Sequence, residues 1–209
     1  MKKYFLIIDT SSEKGLCAIA DQQKTVVFKK YINAKSSHSE HLFVSIQKAL
    51  SDMKIDFSEI AKVIYTAGPG SFTGLRIAYS AVKGFVMATG VESHGVSTLK
   101  ALMYNIKDEP GYKGVLIKGS ANDVYALIVD EKGKQVLEEG CYDISHIMDV
   151  EKNILKSGKA VKFIGSGTGT ESELNTVTPE GMLSLLEQKS IDDINYLKAS
   201  YAEIKAMQK

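Results

Sequence analysis

The string Gly68-Pro69-Gly70-Ser71, followed by Gly74 and Arg76 in AGPGSFTGLRIA, has the composition of an anion site. Glycines between a strand and a helix expose backbone N–H groups, and a helix amino terminus adds partial positive charge. Two familiar phosphate patterns are nevertheless missing. GxxxxGK[ST] fails because Leu75 and Arg76 follow Gly74, and GxGxxG fails because the third glycine falls one place late. The residues fit better as a tight turn set by Pro69 and the glycines, with Ser71 capping a helix. Ser71 is no better as a nucleophile, since GxSxG is absent and no His–Asp pair can be assigned to it. His38 and His41, three apart, could share a metal ion, but no third ligand is evident, and His94 and His146 stand alone. Solvated or core histidines are the expected state. GSGTGT, from Gly165, could wrap a nucleotide phosphate and is read first as a loop.

These residues must be positioned by regular elements, and the chain carries an internal repeat. Laid over each other without a gap, FLIIDTSSEKGLCAIADQQK (from Phe5) and GVLIKGSANDVYALIVDEKG (from Gly114) match Leu6-Ile7-Ile8 to Val115-Leu116-Ile117 and Cys17-Ala18-Ile19 to Ala126-Leu127-Ile128. Each copy reads as a three-stranded meander, with TVVFKKYI or KQVLEEGCY as its third run. The first copy continues into a helix over SSHSEHLFVSIQKALSDM. Ser37 and Glu40 have capping-box spacing there, and Leu42, Phe43, Ile46, Ala49, Leu50 and Met53 share one face. A buried strand AKVIYTA, the glycine loop, a helix and a further helix from Ser97 follow. In the second copy AVKFIGSG is the later strand, and Thr178-Pro179-Glu180 starts a helix over PEGMLSLLEQK. Two tandem βββαβα halves predict an α/β fold of the duplicated actin, Hsp70 and sugar-kinase type. Its lobes are expected at 1–108 and 109–190, parting near Pro110, with 191–209 a candidate to complete the first.

The helix after the glycine loop is unusual for a sheet-packed helix. Between Phe72 and Thr89 only Arg76 and Lys83 are charged. Leu75, Tyr79, Val82, Phe85 and Val86 make one apolar face, and Ile77, Ala81, Gly84 and Ala88 a second, small one. A small flat face lets another helix approach closely. The remaining composition excludes more than it assigns. With 209 residues, 44% hydrophobic, the chain is long enough for one large domain or two small ones. Its 26 basic and 25 acidic side chains leave a net charge of +1, which gives no general attraction to nucleic acid. Cys17 and Cys141 form no CxxC pair and are expected as core thiols in a reducing compartment. The first apolar run stops at Asp9, and no run approaches about twenty apolar residues, so a soluble cytoplasmic protein with no membrane association is expected.

IIDTS, HSEHLFVSIQKAL, GPGSFTGLRIA and GVSTL, followed in order by DVY, FIGSG and YLK, resemble the TsaB (YeaZ-like) family along the whole chain. The resemblance implies a non-catalytic subunit in bacterial formation of threonylcarbamoyladenosine, next to the anticodon of tRNAs that read codons starting with adenine. It implies pairing with a TsaD-like paralogue that carries the metal, nucleotide and transfer chemistry, action with a TsaE-like ATPase, and self-association as a homodimer. Contact with tRNA would come mainly through that complex. Partner contacts are expected at His41, Val44, Ser45 and Lys48 on the first helix, and at Ile77, Ala78, Ala81, Gly84, Phe85 and Ala88 on the second. Asp9, Thr10, Ser11, Gly165 and Gly167 outline a candidate weak nucleotide cleft. No resident cofactor or metal is expected, with ATP a candidate only at the complex interface. Two departures stand out. Lys118-Gly119-Ser120-Ala121 replaces a DAR-like string, and Ile194-Asn195 precede Tyr196-Leu197-Lys198 where the family has proline. By the gapless repeat Lys118 is the counterpart of Asp9, and a carboxylate facing a lysine makes a poor magnesium cage. The alternatives are an ATPase or small-molecule kinase of the same fold and, less favoured, a peptidase, for which no nucleophile–base pair or metal triad can be proposed.

Overall fold

The computed structural model describes residues 3–33, 38–169 and 172–195, without the side chains of 38–40. The capping box at Ser37 and Glu40, the histidine pairing at His38 and the tail string at Tyr196 therefore lie outside the described residues.

Runs of β-branched and aliphatic residues bounded by turn formers give the first meander, β1 (Tyr4–Asp9), β2 (Lys14–Asp21) and β3 (Val26–Asn33). The chain then forms α1 (His38–Met53), β4 (Ile60–Gly68), α2 (Phe72–Thr89), β5 (Glu92–Ser97) and α3 (Thr98–Met103). The five strands make one sheet in the order β3-β2-β1-β4-β5, with β1, β4 and β5 parallel. Strand β5, ESHGVS, has no apolar alternation and was not foreseen as a strand. Its ladder with β4 and the burial of its last four residues hold it in place.

The second meander is β6 (Tyr112–Lys118), β7 (Asp123–Val129) and β8 (Gln135–Asp143), followed by α4 (Ile144–Lys156) and β9 (Val161–Ile164). The sheet order is β8-β7-β6-β9, with β6 and β9 parallel. After β9 come two single 3₁₀ turns and then α5 (Pro179–Leu183). The helix expected over PEGMLSLLEQK is cut to these five residues. Ser184, its C-cap, donates its hydroxyl to the Gly181 carbonyl at 2.7 Å, a local bond that competes with helix continuation. The element order is otherwise the duplicated one of the actin/Hsp70/sugar-kinase type.

Register corrects the gapless repeat at its first strand. Ile8 pairs with Cys17 and Leu116 with Ala126. Cys17 and Ala126 both face the outer helices, as the overlay requires. Ile7, however, packs between the sheets, whereas its overlay partner Leu116 packs under α4. A one-residue slip reverses every side chain of a strand. The inward-facing counterpart of Asp9 is therefore Ile117, not Lys118.

Three apolar clusters define five layers. One lies between the first sheet and α1 and α2, one between the second sheet and α4, and the third between the sheets with α3 and α5. The middle cluster takes Ile7, Leu16 and Ile64 from one sheet and Val115, Ile117 and Leu127 from the other. Polar ties reinforce it. Ser97 donates to Glu139, whose carboxylate also lies 3.8 Å from Lys100 Nζ, and Asn105 Nδ2 donates to the carbonyls of Leu174 and Thr176 at 2.8 and 2.9 Å. Residues 190–195 return to the first sheet. Ile191 N–H donates to Gly95 O at 2.9 Å, Tyr65 Oη to Ile191 O at 3.0 Å, and Asn195 N–H to Ala67 O at 2.7 Å.

Candidate functional site

Ser71 caps α2 by accepting from Gly74 N–H at 3.3 Å, and its own N–H donates to Ser11 O at 2.7 Å. The loop glycines are explained by this docking. A Cβ at Gly70 would come within 2.5 Å of Ser11 O, and one at Gly74 would overlap Thr10 O. Thr10 closes the joint by donating its hydroxyl to Gly74 O at 2.7 Å. The loop, which includes the cis peptide Gly68–Pro69, thus seats the start of α2 against the β1–β2 turn.

Helix α2 then exposes one flank. Gly74, Leu75, Ala78, Ala81 and Val82 face the protein, while Arg76, Ser80, Gly84 and Ala88 face out with Phe72 (51% exposed) and Met87 (88%). Ile77 and Phe85 are half-buried. On α1, His41, Phe43, Val44 and Lys48 are exposed, and Leu42, Ser45, Ile46 and Ala49 are buried. An apolar groove of about 630 Å³ runs between the helices, lined by Phe43 from α1 and by α2 residues from Phe72 to Phe85. Phe85 meets Phe43 edge-on at 6.1 Å, and the Arg76 guanidinium lies 4.4 Å over the Phe72 ring.

Three expected partner residues need correction. Ser45 and Ala78 are enclosed by the chain's own core, and Ala81 is only the floor of the groove. The cause is rotational. Almost every residue of α2 is uncharged, so its sequence gives little contrast to fix which face meets the sheet. Phe43, expected in the core, is half exposed, and Phe72, Thr73, Ser80 and Met87 join the flank unforeseen. Their signal was present in Phe72 and Met87, large apolar residues at the two ends of one helix.

A second concavity, of about 890 Å³, lies between the sheets and includes Ser11, Gly70, Ser71, Thr98, Ile117, Lys118 and Ser166 in its wall. The other expected cleft residues are held behind that wall. Asp9 is fully buried, its Oδ1 accepting from Thr66 Oγ1 at 2.6 Å and Ser11 N–H at 2.9 Å, and Thr10 is 1% exposed. Gly165 donates its N–H to Asn175 Oδ1 at 2.7 Å, and both Gly165 and Gly167 press on Leu116. The magnesium nucleotide implied by the fold does not fit this arrangement. The carboxylate is enclosed, its inward counterpart Ile117 is apolar, and Gly165, which would have to turn its N–H to a phosphate, has that N–H bonded within the chain.

Among the described residues no three His, Cys, Asp or Glu side chains gather as metal ligands. Burial pushes the Cys17 thiol up to about 12, with Lys30 pulling weakly the other way, so it is unreactive at neutral pH. His146 stacks on Tyr142 at 5.4 Å. His94 is buried in β5, and that burial lowers its pKa. Among the described residues no helix is long and apolar enough to cross a membrane.

Comparison with known proteins now has geometry to rest on. Residues 31–204 match the family model TsaD, described as tRNA N6-adenosine threonylcarbamoyltransferase. The chain is 31% identical to the tRNA threonylcarbamoyladenosine biosynthesis protein TsaB of Buchnera aphidicola (subsp. Schizaphis graminum) over 102 residues, 49% of this chain and 48% of that protein. It thus matches about half the length of that relative. With TsaB of Bacillus subtilis the identity is 25%, covering 96% of both. A Pseudomonas aeruginosa protein described as similar to the peptidase YEAZ shares the fold, with a TM-score of 0.60 and 23% identity over 68% of this chain and 67% of that one. The chain belongs to the family that this model describes and, within it, to the TsaB (YeaZ-like) proteins.

Proposed function

We propose that this chain serves tRNA threonylcarbamoyladenosine synthesis as a partner-binding subunit without a catalytic centre of its own. The α1/α2 flank would receive a TsaD-like paralogue that performs the transfer, with a TsaE-like ATPase acting on the pair in the cytoplasm. A second copy of the chain would compete for the same flank. ATP, where it takes part, would lie at the interface with the paralogue, and tRNA would be held mainly by the complex. One observation carries the reading: the groove exposes Phe43 (50%) and Phe72 (51%), and the same two helices also expose Val44 (59%) and Met87 (88%). Large apolar side chains gathered in this way mark association sites. The enclosure of Asp9 supports the non-catalytic part.

The test is reconstitution. The purified chain alone should turn over neither ATP nor tRNA, and adding the paralogue, the ATPase and an activated threonylcarbamoyl donor should restore modification of a cognate tRNA. Full modification by the other components with this chain omitted would end the subunit reading. ATP turnover by the chain alone, lost on substituting Asp9, would favour the kinase-like alternative.

A further inference from the structure

We infer that the α1/α2 groove selects a partner helix that brings a carboxylate to Arg76, so that this arginine decides which helix the groove accepts. The inference rests on the reading of that flank as a pairing surface and names the chemistry of its occupant. Arg76 is the one charged residue in the groove lining, and the side chains around it are aromatic, aliphatic or small. It is exposed, its guanidinium lies 4.4 Å over the Phe72 ring, and no acidic side chain among the described residues pairs with it. In water a guanidinium needs no counter-ion. Under a docked helix it loses that water, and a buried cation without a partner is far costlier than one paired with a carboxylate. The carboxylate can meet its planar fork with two parallel hydrogen bonds, which fixes the register of the docked helix as well as its charge.

The surroundings narrow the choice of helix. Arg76, Ser80 and Gly84 follow one another at i, i+4 and i+8 along α2, and a Cβ at Gly84 would meet nothing within 4 Å. Two helices can therefore close to about 8 Å at Ser80 and Gly84, with the carboxylate one turn away beside Phe72. No Asp or Glu lies between Phe72 and Thr89, and Lys83 adds a second cation, so α2 attracts an acidic helix and repels a basic one. A second copy of this chain is a poorer match. An α2-to-α2 contact would bring cations to cations, and among the described side chains of the two helices the one acid, Asp52, is held by Lys48 at 3.5 Å. A nucleic acid strand fits less well still, because a single arginine would face a run of phosphates to which Phe43, Ile77 and Phe85 offer only hydrocarbon.

Calorimetric titration of the full chain with the TsaD-like paralogue of the same cell, using Arg76→Gln, Arg76→Lys and Arg76→Glu, tests this. Arg76→Gln should weaken pairing at least about thirtyfold, the effect of leaving a buried carboxylate unpaired, and Arg76→Lys should recover part of the loss. Arg76→Glu should abolish pairing, and when the acidic residues on the paralogue's exposed helices are changed to lysine one at a time, one change should restore it. Self-association of the lone chain, read by sedimentation, should be unchanged or stronger in Arg76→Gln. Melting curves of the variants without partner check that the fold survives. Gly84→Arg, which blocks the groove by bulk, separates this inference from the reading beneath it. Pairing lost in Gly84→Arg but kept at parental affinity in Arg76→Gln would overturn the inference and leave the pairing surface in place, whereas parental affinity in both would remove the surface as well. The inference would also fall if no acid-to-lysine change restored Arg76→Glu, if Arg76→Gln weakened self-association as strongly as pairing with the paralogue, or if it abolished binding of tRNA to the lone chain.

Discussion

Arginine in place of Gly84 should act in opposite directions on the lone chain and on its complexes. Gly84 lies inside α2, and a Cβ built there meets nothing within 4 Å. A glycine in a helix interior costs about 0.5–1 kcal/mol relative to a good helix former. Gly84→Arg should therefore stabilise the isolated chain by about that amount, a rise of roughly 1–4 °C in Tm for a chain of this size. The same side chain would project from the wall of the groove beside Phe85, where the proposed partner would pack. Blocking the centre of an interface costs about 2 kcal/mol or more, which is roughly a thirtyfold loss of affinity. Ala81 cannot serve as the control, because it is 5% exposed and an arginine there would damage the monomer itself. Differential scanning fluorimetry reads the first effect, and size-exclusion chromatography with the TsaD-like paralogue reads the second. A lower Tm would show that the helix is not open at this position. A higher Tm with undiminished co-elution would remove the groove from the pairing surface.

Other perturbations address the scaffold behind the two sites. Gly74→Ala should cost about 3 kcal/mol or more in urea denaturation, because its Cβ overlaps the Thr10 carbonyl; a loss below about 1 kcal/mol would contradict the close docking. The His94 imidazole is held below its ordinary 6.5 by burial first, with Lys62 adding to this and the Leu185 carbonyl and Asp192 opposing it. The unfolded chain therefore takes up the proton first, so stability should fall as the pH drops below about 6.5 and level off once the folded imidazole is also charged. His94→Gln should flatten that slope in denaturation curves at pH 5 to 7, and an unchanged slope would assign it to other groups. A thiol reagent at pH 8 should leave Cys17 unmodified until the chain unfolds, and prompt modification of Cys17 would contradict its enclosure.

Much of the architecture could be read from the residues because each meander strand ends in turn formers and the buried Leu42, Ile46 and Ala49 of α1 recur at helical spacing. What could not be read has a common cause in missing contrast. Val115, Leu116 and Ile117 are all buried, so the run alone does not say which of them faces the other sheet, and the overlay with Leu6-Ile7-Ile8 slipped by one. Helix α2 poses the same problem around its axis, which is why Ala78 and Ala81 were expected on the wrong flank while Gly84 and Ala88 were not. Strand β5 was hidden because its polar composition is compensated by pairing with β4 and by the returning segment at Ile191. The cleft depends on contacts between distant parts of the chain. No local spacing could join Ser11 to Thr98, or show that the Gly165 N–H is already bonded to Asn175. The glycine loop was legible as a turn and helix cap, and its close approach to Thr10 and Ser11 supplies the reason for its glycines.

The apolar cluster shared by the sheets decides what would happen if the polypeptide were cut at Pro110. Neither fragment could shield its inner surface, since Ile7 and Ile64 would lose Val115 and Leu127 as neighbours. Halves produced separately should therefore precipitate or unfold, and co-expression should rescue them only when they meet before either aggregates. The same cluster resists a jaw-like opening between the sheets, because Ile7 and Val115 could not part without exposing apolar surface to water.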